Sequence, residues 1–191
     1  MKSSELNIPT PCKTEVEKYL KQWYTLENYV LQEKSLNKLF FKVVPENKEI
    51  EDILIKAATL NDFYSTHVYN IFAVAKKMLT LNIDERLEAN DLSLVHDIAD
   101  NYKCFYSFAS KYCSHHKPDV YPIYDSYVEK VLWYFKKRDD FADFKRTDLK
   151  DYPTFKMIYM SFAKFYGIDD YTVKELDRYL WQLGKEYFSK Y

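Results

Sequence analysis

The sequence predicts an all-α protein, one domain over residues 1–191 with seven to nine helices. Three observations carry that expectation. Apolar residues recur at three- and four-residue spacing along most of the chain. Gly167 and Gly184 are the two glycines among 191 residues, too few for the tight turns of a β protein. Hydrophobic residues make up 47% and aromatics 18%, with 19 tyrosines, so the chain can bury a real core and is not disordered.

Residues 1–13 read as an extended lead-in, because Pro9 and Pro11 oppose helix. Thr14 and Glu17 form a capping-box pattern, and Val16, Tyr19, Leu20, Trp23, Leu26 and Val30 predict one helix over 15–33. Leu39 to Val44 reads as a short strand or a helix end, closed by Pro45. Ile50, Ile53, Leu54 and Ala57 predict a helix over 49–56 that falters at Thr59-Leu60-Asn61. Asn61 then caps a further helix to about Thr80, with His67 on its apolar stripe as a core histidine. Leu94, Val95, Ile98 and Ala99 predict a helix over 92–102.

Phe105, Phe108, Ala109, Tyr112 and Cys113 form the buried stripe of a short helix, with Lys111 off it. Pro118 and Pro122 frame an extended link, and Asp125 or Ser126 caps a helix to about Lys137; Ser126 and Glu129 also match a capping box. Residues 136–151 read as a solvated connector of mixed charge. Pro153 suits a first turn, Phe155 to Tyr166 carry the next stripe, and Gly167 is a left-handed stop. Thr172 and Glu175 open the last helix, with Val173, Leu176, Leu180, Leu183 and Tyr187 inward.

Composition excludes several functions. Without a glycine cluster there is neither a P-loop nor a dinucleotide fingerprint. A net charge of −1 gives no global pull toward nucleic acid or an anionic membrane. Cys12, Cys104 and Cys113 are odd in number and lack a CxxC pair, so neither a disulfide framework nor a zinc knuckle is expected. His67, His96, His115 and His116 have no partners at metal spacing, and no cofactor is expected. No GxSxG elbow accompanies the serines. The start has no apolar leader, and no stretch nears the roughly 18 apolar residues of a spanning helix, so the expectation is a cytoplasmic protein with no membrane partner. Oligomeric state has no signature here.

Ionisable and turn residues concentrate between Ser107 and Glu129. Lys111 and Asp125 stand on either side of a turn, so two helices folded back on each other bring them together. A helix start favours a negative charge, and a buried lysine beside it has its pKa pulled down by burial and up by the carboxylate. If burial wins, a neutral amine can attack a sugar C1′ and form a Schiff base while the aspartate steadies positive charge on the sugar. The plainer alternative is Asp125 as a helix cap and Lys111 as a surface lysine.

Phe108-Ala109-Ser110-Lys111 and Pro122-Ile123-Tyr124-Asp125-Ser126 resemble two parts of the helix-hairpin-helix DNA glycosylases, within the 8-oxoguanine glycosylase-like group. There a helix bears the catalytic lysine and an aspartate starts the next helix. Leu60 to Thr66 is similar to an earlier helix start, whose polar residue fills the gap left by a flipped base. The resemblance covers at most residues 50–137. It implies a helix-hairpin-helix arrangement, DNA as partner and base-excision repair by a glycosylase or lyase. Lys111 is then the nucleophile and Asp125 the stabiliser, with Asn61, Tyr64, His115, Lys117, Tyr124 and Ser126 around the DNA. The family spaces its lysine and aspartate more widely, by roughly a helical turn or more, and Lys103, the other nearby lysine, overshoots. The family's glycine-rich phosphate anchor has no counterpart, since no glycine precedes Gly167. A monofunctional enzyme with Asp125 activating water, or a relative without activity, also fits the pattern. Two other functions stay open: a non-enzymatic interaction module with an aromatic groove, and a helical enzyme acting on another small substrate around Asp125.

Overall fold

Helices account for all the regular structure in the computed structural model, which describes residues 7–99 and 105–189. Lys103, Cys104 and the end of the helix expected over 92–102 lie outside the described residues, as do residues 1–6 of the lead-in. Among the described residues ten α-helices follow one another: α1 (Lys13–Trp23), α2 (Glu27–Lys38), α3 (Ile50–Tyr64), α4 (Ile71–Met78), α5 (Ile83–Glu88), α6 (Leu94–Ala99), α7 (Tyr106–His116), α8 (Ser126–Asp139), α9 (Tyr152–Phe165) and α10 (Val173–Phe188). The α-helical class holds, with slightly more helices than expected.

The centre of the molecule is α7. Every residue from Phe108 to His115 is buried, including Ser110, Lys111 and Ser114, so this helix has no solvent face. Lys111, expected off the buried stripe, is buried because α3, α6 and the link to α8 cover α7 on several sides. Tyr112 and Phe108 anchor it among Phe40 and other core rings. The described part of the lead-in is tied down: Ile8 is buried, and the Arg138 guanidinium donates to Ile8 O at 2.7 Å and Thr10 Oγ1 at 3.0 Å.

α8 and α10 cross very closely. A Cβ on Gly184 would sit 2.6 Å from Tyr127 Cβ, so that glycine is required by approach rather than by backbone angle. Gly167, by contrast, takes a left-handed φ of +63° and ends α9, as expected. Thr172 and Glu175 form their reciprocal capping box, and Asp151 caps α9 with Pro153 in its first turn.

Several local expectations are corrected. The helix expected over 15–33 breaks at Tyr24–Leu26, where Thr25 N and Leu26 N turn back onto Gln22 O and Trp23 O and the Thr25 hydroxyl holds Gln22 O at 2.7 Å. Thr14 does not cap α1; Cys12 precedes it without a side-chain bond. Of the two readings of Leu39 to Val44 the helix end holds, as a π-helical turn over Leu39–Val43 that continues α2.

α3 runs straight through Thr59-Leu60-Asn61, and α4 is capped by Asn70 instead of Asn61. The Asn61 side chain instead staples the loop after α3, bonding Val68 N and O and the Thr66 hydroxyl. His67 lies exposed on that loop with φ +56°, not on a core stripe. The connector 136–151 is not merely solvated: Phe141, Phe144 and Leu149 enter the core, and Arg146–Lys150 forms a 3₁₀ turn.

Candidate functional site

α7, the start of α8 and α10 enclose, with α2 and the end of α3, a cavity of about 240 Å3. Lys111 and Asp125 both line it. The two groups thus share one cavity, although α8 packs mainly on α10 and α7 on α6 and α3, not the two on each other.

Lys111 is 4% exposed. Its Nζ donates to Ser107 Oγ, one turn back on α7, at 2.5 Å, and lies 5.2 Å from the centre of the Tyr64 ring. Burial pushes the amine's pKa down, and Asp125 and then Asp177 push it back up. Tyr64 is itself fixed, its hydroxyl 2.9 Å from His115 Nε2.

Asp125, not Ser126, caps α8. Its Oδ1 accepts from Tyr127 N at 2.9 Å and Val128 N at 2.8 Å. Both bonds fall on one oxygen, so capping alone does not occupy Oδ2. The sequence pairs Ser126 with Glu129 as a capping box, but the Glu129 carboxylate instead binds the Tyr124 hydroxyl, Arg146 and Lys150.

The extended link before Asp125 is pinned residue by residue. Ser110 Oγ accepts from Tyr124 N at 3.1 Å, and the Tyr152 hydroxyl donates to Pro122 O at 2.8 Å. Ile123 N donates to both carboxylate oxygens of Asp177, at 3.2 and 3.1 Å.

Asp177, on α10, also accepts from the Tyr159 hydroxyl at 3.0 Å and lines the cavity. Burial lifts its pKa to about 7, against the opposing pull of Lys174, the Ile123 amide and Tyr159. Part of the lining is aromatic. Trp181 lies 4.8 Å from Tyr29 and 6.0 Å from Trp23, centre to centre. Arg178 covers Trp23 at 5.4 Å and forms an ion pair with Glu33 of α2, while Lys185 covers Trp181 at 4.8 Å. The lining thus offers aromatic surface together with carboxyl and amine groups.

Of the candidate residues, Lys111, Asp125 and Tyr64 share the cavity. Asn61 is spent on its loop, as described above. His115 is buried against Tyr64 and Phe40, where burial drives its pKa well below the usual imidazole value; it is no surface phosphate contact. Lys117 is paired with Glu88 at 2.7 Å. Tyr124 is buried, its hydroxyl held by Glu129 and Lys150. Ser126 is exposed and is not among the cavity's lining residues.

Sequence reasoning missed Glu33, Asp177, Arg178 and Trp181. The one available signal was Asp177, a carboxylate beside the inward positions Val173, Leu176 and Leu180. No group of three or more His, Cys, Asp or Glu side chains suited to a metal occurs among the described residues, and no helix among them is long and apolar enough to cross a membrane.

The family model HI_0787_N, an N-terminal domain, matches residues 15–120. The chain belongs to this family. A relative from Haemophilus influenzae, an uncharacterized protein, is 48% identical over 147 residues, 74% of this chain and 70% of the relative. No solved structure matches the chain. The family's matched segment carries Lys111, Tyr64, Glu33 and Trp23, whereas Asp125, Asp177, Arg178 and Trp181 come from the part of the chain that follows it. The cavity is thus built by both.

Proposed function

We propose that this protein binds DNA and acts in base excision as a glycosylase or lyase, with Lys111 as nucleophile and Asp125 as electrostatic stabiliser. The observation that carries the reading is that a desolvated amine and a helix-capping carboxylate line one cavity walled by Trp23, Tyr29 and Trp181. A flipped base fits such a space by stacking on the indole and phenol rings, with the sugar C1′ presented to Lys111. Burial raises the share of neutral amine, the form that attacks carbon. Attack at C1′ forms the N–C bond as the glycosidic bond breaks, the base departs with the bonding electrons, and loss of the amine proton with ring opening gives the Schiff base. In this reading Asp125 steadies the positive charge that develops on the sugar. The loop that begins at the cavity-lining Ser65 ends in Tyr69, 95% exposed, an aromatic face available to a distorted duplex.

The test is borohydride trapping on duplexes carrying an abasic site or an oxidised purine. The expected result is a covalent complex with wild type and none with Lys111→Ala. Absence of any DNA binding at low salt, where phosphate contacts weigh most, would sink the reading.

A second reading, a non-enzymatic interaction module, is favoured by Met157, Met160 and Phe165, which stand exposed on α9. It expects Met157→Lys with Phe165→Lys to abolish partner capture while Lys111→Ala leaves it intact.

A further inference from the structure

Asp177 belongs to no motif, yet it touches both the scaffold and the cavity. Its two oxygens receive Ile123 N–H, and Ile123 stands two residues before the α8 cap Asp125. The Tyr159 hydroxyl of α9 fixes the same carboxyl from behind at 3.0 Å. One side chain therefore ties α10, α9 and the link that delivers Asp125.

We propose that Asp177 is the positioning residue of this cavity: it holds the Ile123 amide so that Asp125 faces Lys111, and it is the group through which pH reaches the Lys111 amine. The charged and titratable groups around it come from every neighbouring element. They are Lys111 of α7, Asp125 at the start of α8, Tyr159 of α9, Lys174 on its own helix, Tyr64 of α3, and the Arg178–Glu33 pair that joins α10 to α2.

The sign follows from charge. Ionised Asp177 stabilises the Lys111 ammonium, and protonated Asp177 does not. The carboxyl changes state near neutrality because it is buried. Losing a proton from Asp177 thus makes Lys111 the stronger base and the poorer nucleophile at a given pH. The inference concerns the amine and its carboxyl neighbour, and it stands whether or not DNA is the ligand.

The experiment uses no DNA. The full chain is treated with formaldehyde and cyanoborohydride from pH 5.5 to 9, and methylation of Lys111 is followed by mass spectrometry of its peptide. The expected wild-type profile has an inflection near 7 besides the lysine's own. Asp177→Asn keeps an acceptor for Ile123 N–H but carries no charge. It should lose that inflection and label at least threefold faster at pH 8, with little change at pH 5.5. Tyr159→Phe removes a bond that favours the carboxylate, so the inflection should move upward. An Asp177→Asn profile that superimposes on wild type overturns the proposal, as does a Lys111 that resists labelling at every pH. Should DNA trapping fail while the Asp177-dependent inflection is present, the repair reading falls and this inference remains.

Discussion

Among the described residues two lysines are buried, and their surroundings differ in kind. Lys56 is 0% exposed and closed in. It donates to Glu46 O at 2.6 Å and Asn47 Oδ1 at 2.8 Å. Asn47 is in turn held by the Tyr112 hydroxyl and by Asp84. Lys111 has a serine hydroxyl as its hydrogen-bond partner, an aromatic face, and an open cavity in front of it. Both amines have their pKa lowered by burial, Lys56 to about 8. Desolvation alone therefore does not mark a reactive site. What separates the two is whether the amine's donors are spent on the fold or left facing space that a ligand can fill.

The contrast can be broken most directly by deletion. Lys56→Met should cost about 1–3 kcal/mol in urea unfolding, because it takes the donor from the Glu46 carbonyl and leaves the Asn47 side-chain oxygen with the Tyr112 hydroxyl alone. Lys111→Met should be neutral or stabilising in the same assay, since it replaces a desolvated charge by a well-fitting apolar chain. Equal losses at the two positions would erase the distinction.

Titration sharpens it next. Lys56 has a folded pKa below its unfolded one, so the unfolded chain binds more protons between about pH 8 and 10.5. Stability should rise with pH across that window by an amount on the order of 3 kcal/mol, and Lys56→Met should flatten the rise. Asp177 runs the other way. Its folded pKa is raised to about 7 from 3.8, so stability falls as pH climbs between those values, and Asp177→Asn should remove that fall.

Packing near the cavity gives a smaller effect. Gly184→Ala forces a methyl group against Tyr127 and should cost about 1–3 kcal/mol, detected as a lowered melting temperature. The smallest effect is at Asp125. Asp125→Ala should lose about 1 kcal/mol with the α8 cap, whereas Asp125→Asn should lose only a few tenths, because an amide oxygen still accepts from Tyr127 and Val128. If the asparagine variant keeps full stability yet fails in borohydride trapping, the carboxylate acts beyond capping.

The sequence carried what is locally encoded. Gly167 and Thr172 were legible, and the α8 cap to within Asp125 or Ser126, because a cap or a left-handed stop depends on a few neighbouring backbone groups. The apolar stripes of α9 and α10 were legible for the same reason. Long-range packing left no such trace. α7 is buried because other helices surround it, so its periodicity could only set Lys111 off the buried stripe and not show what covers it. Asn61 looked like a cap, but its amide answers a loop that folds back seven residues later. The wall of the cavity depends on α10 returning to α2, which spacing within either helix cannot reveal. The amine and the carboxylate of the candidate site were thus readable, and the rest of the site was not.

The Gly184 crossing bears on how the chain is made. Synthesis releases α7 well before α10, so the cavity around Lys111 is complete only once the last helix has been made. α10, which admits no side chain at its tightest point against α8, is made after α7 and brings Asp177 and Trp181 to the cavity that Lys111 lines.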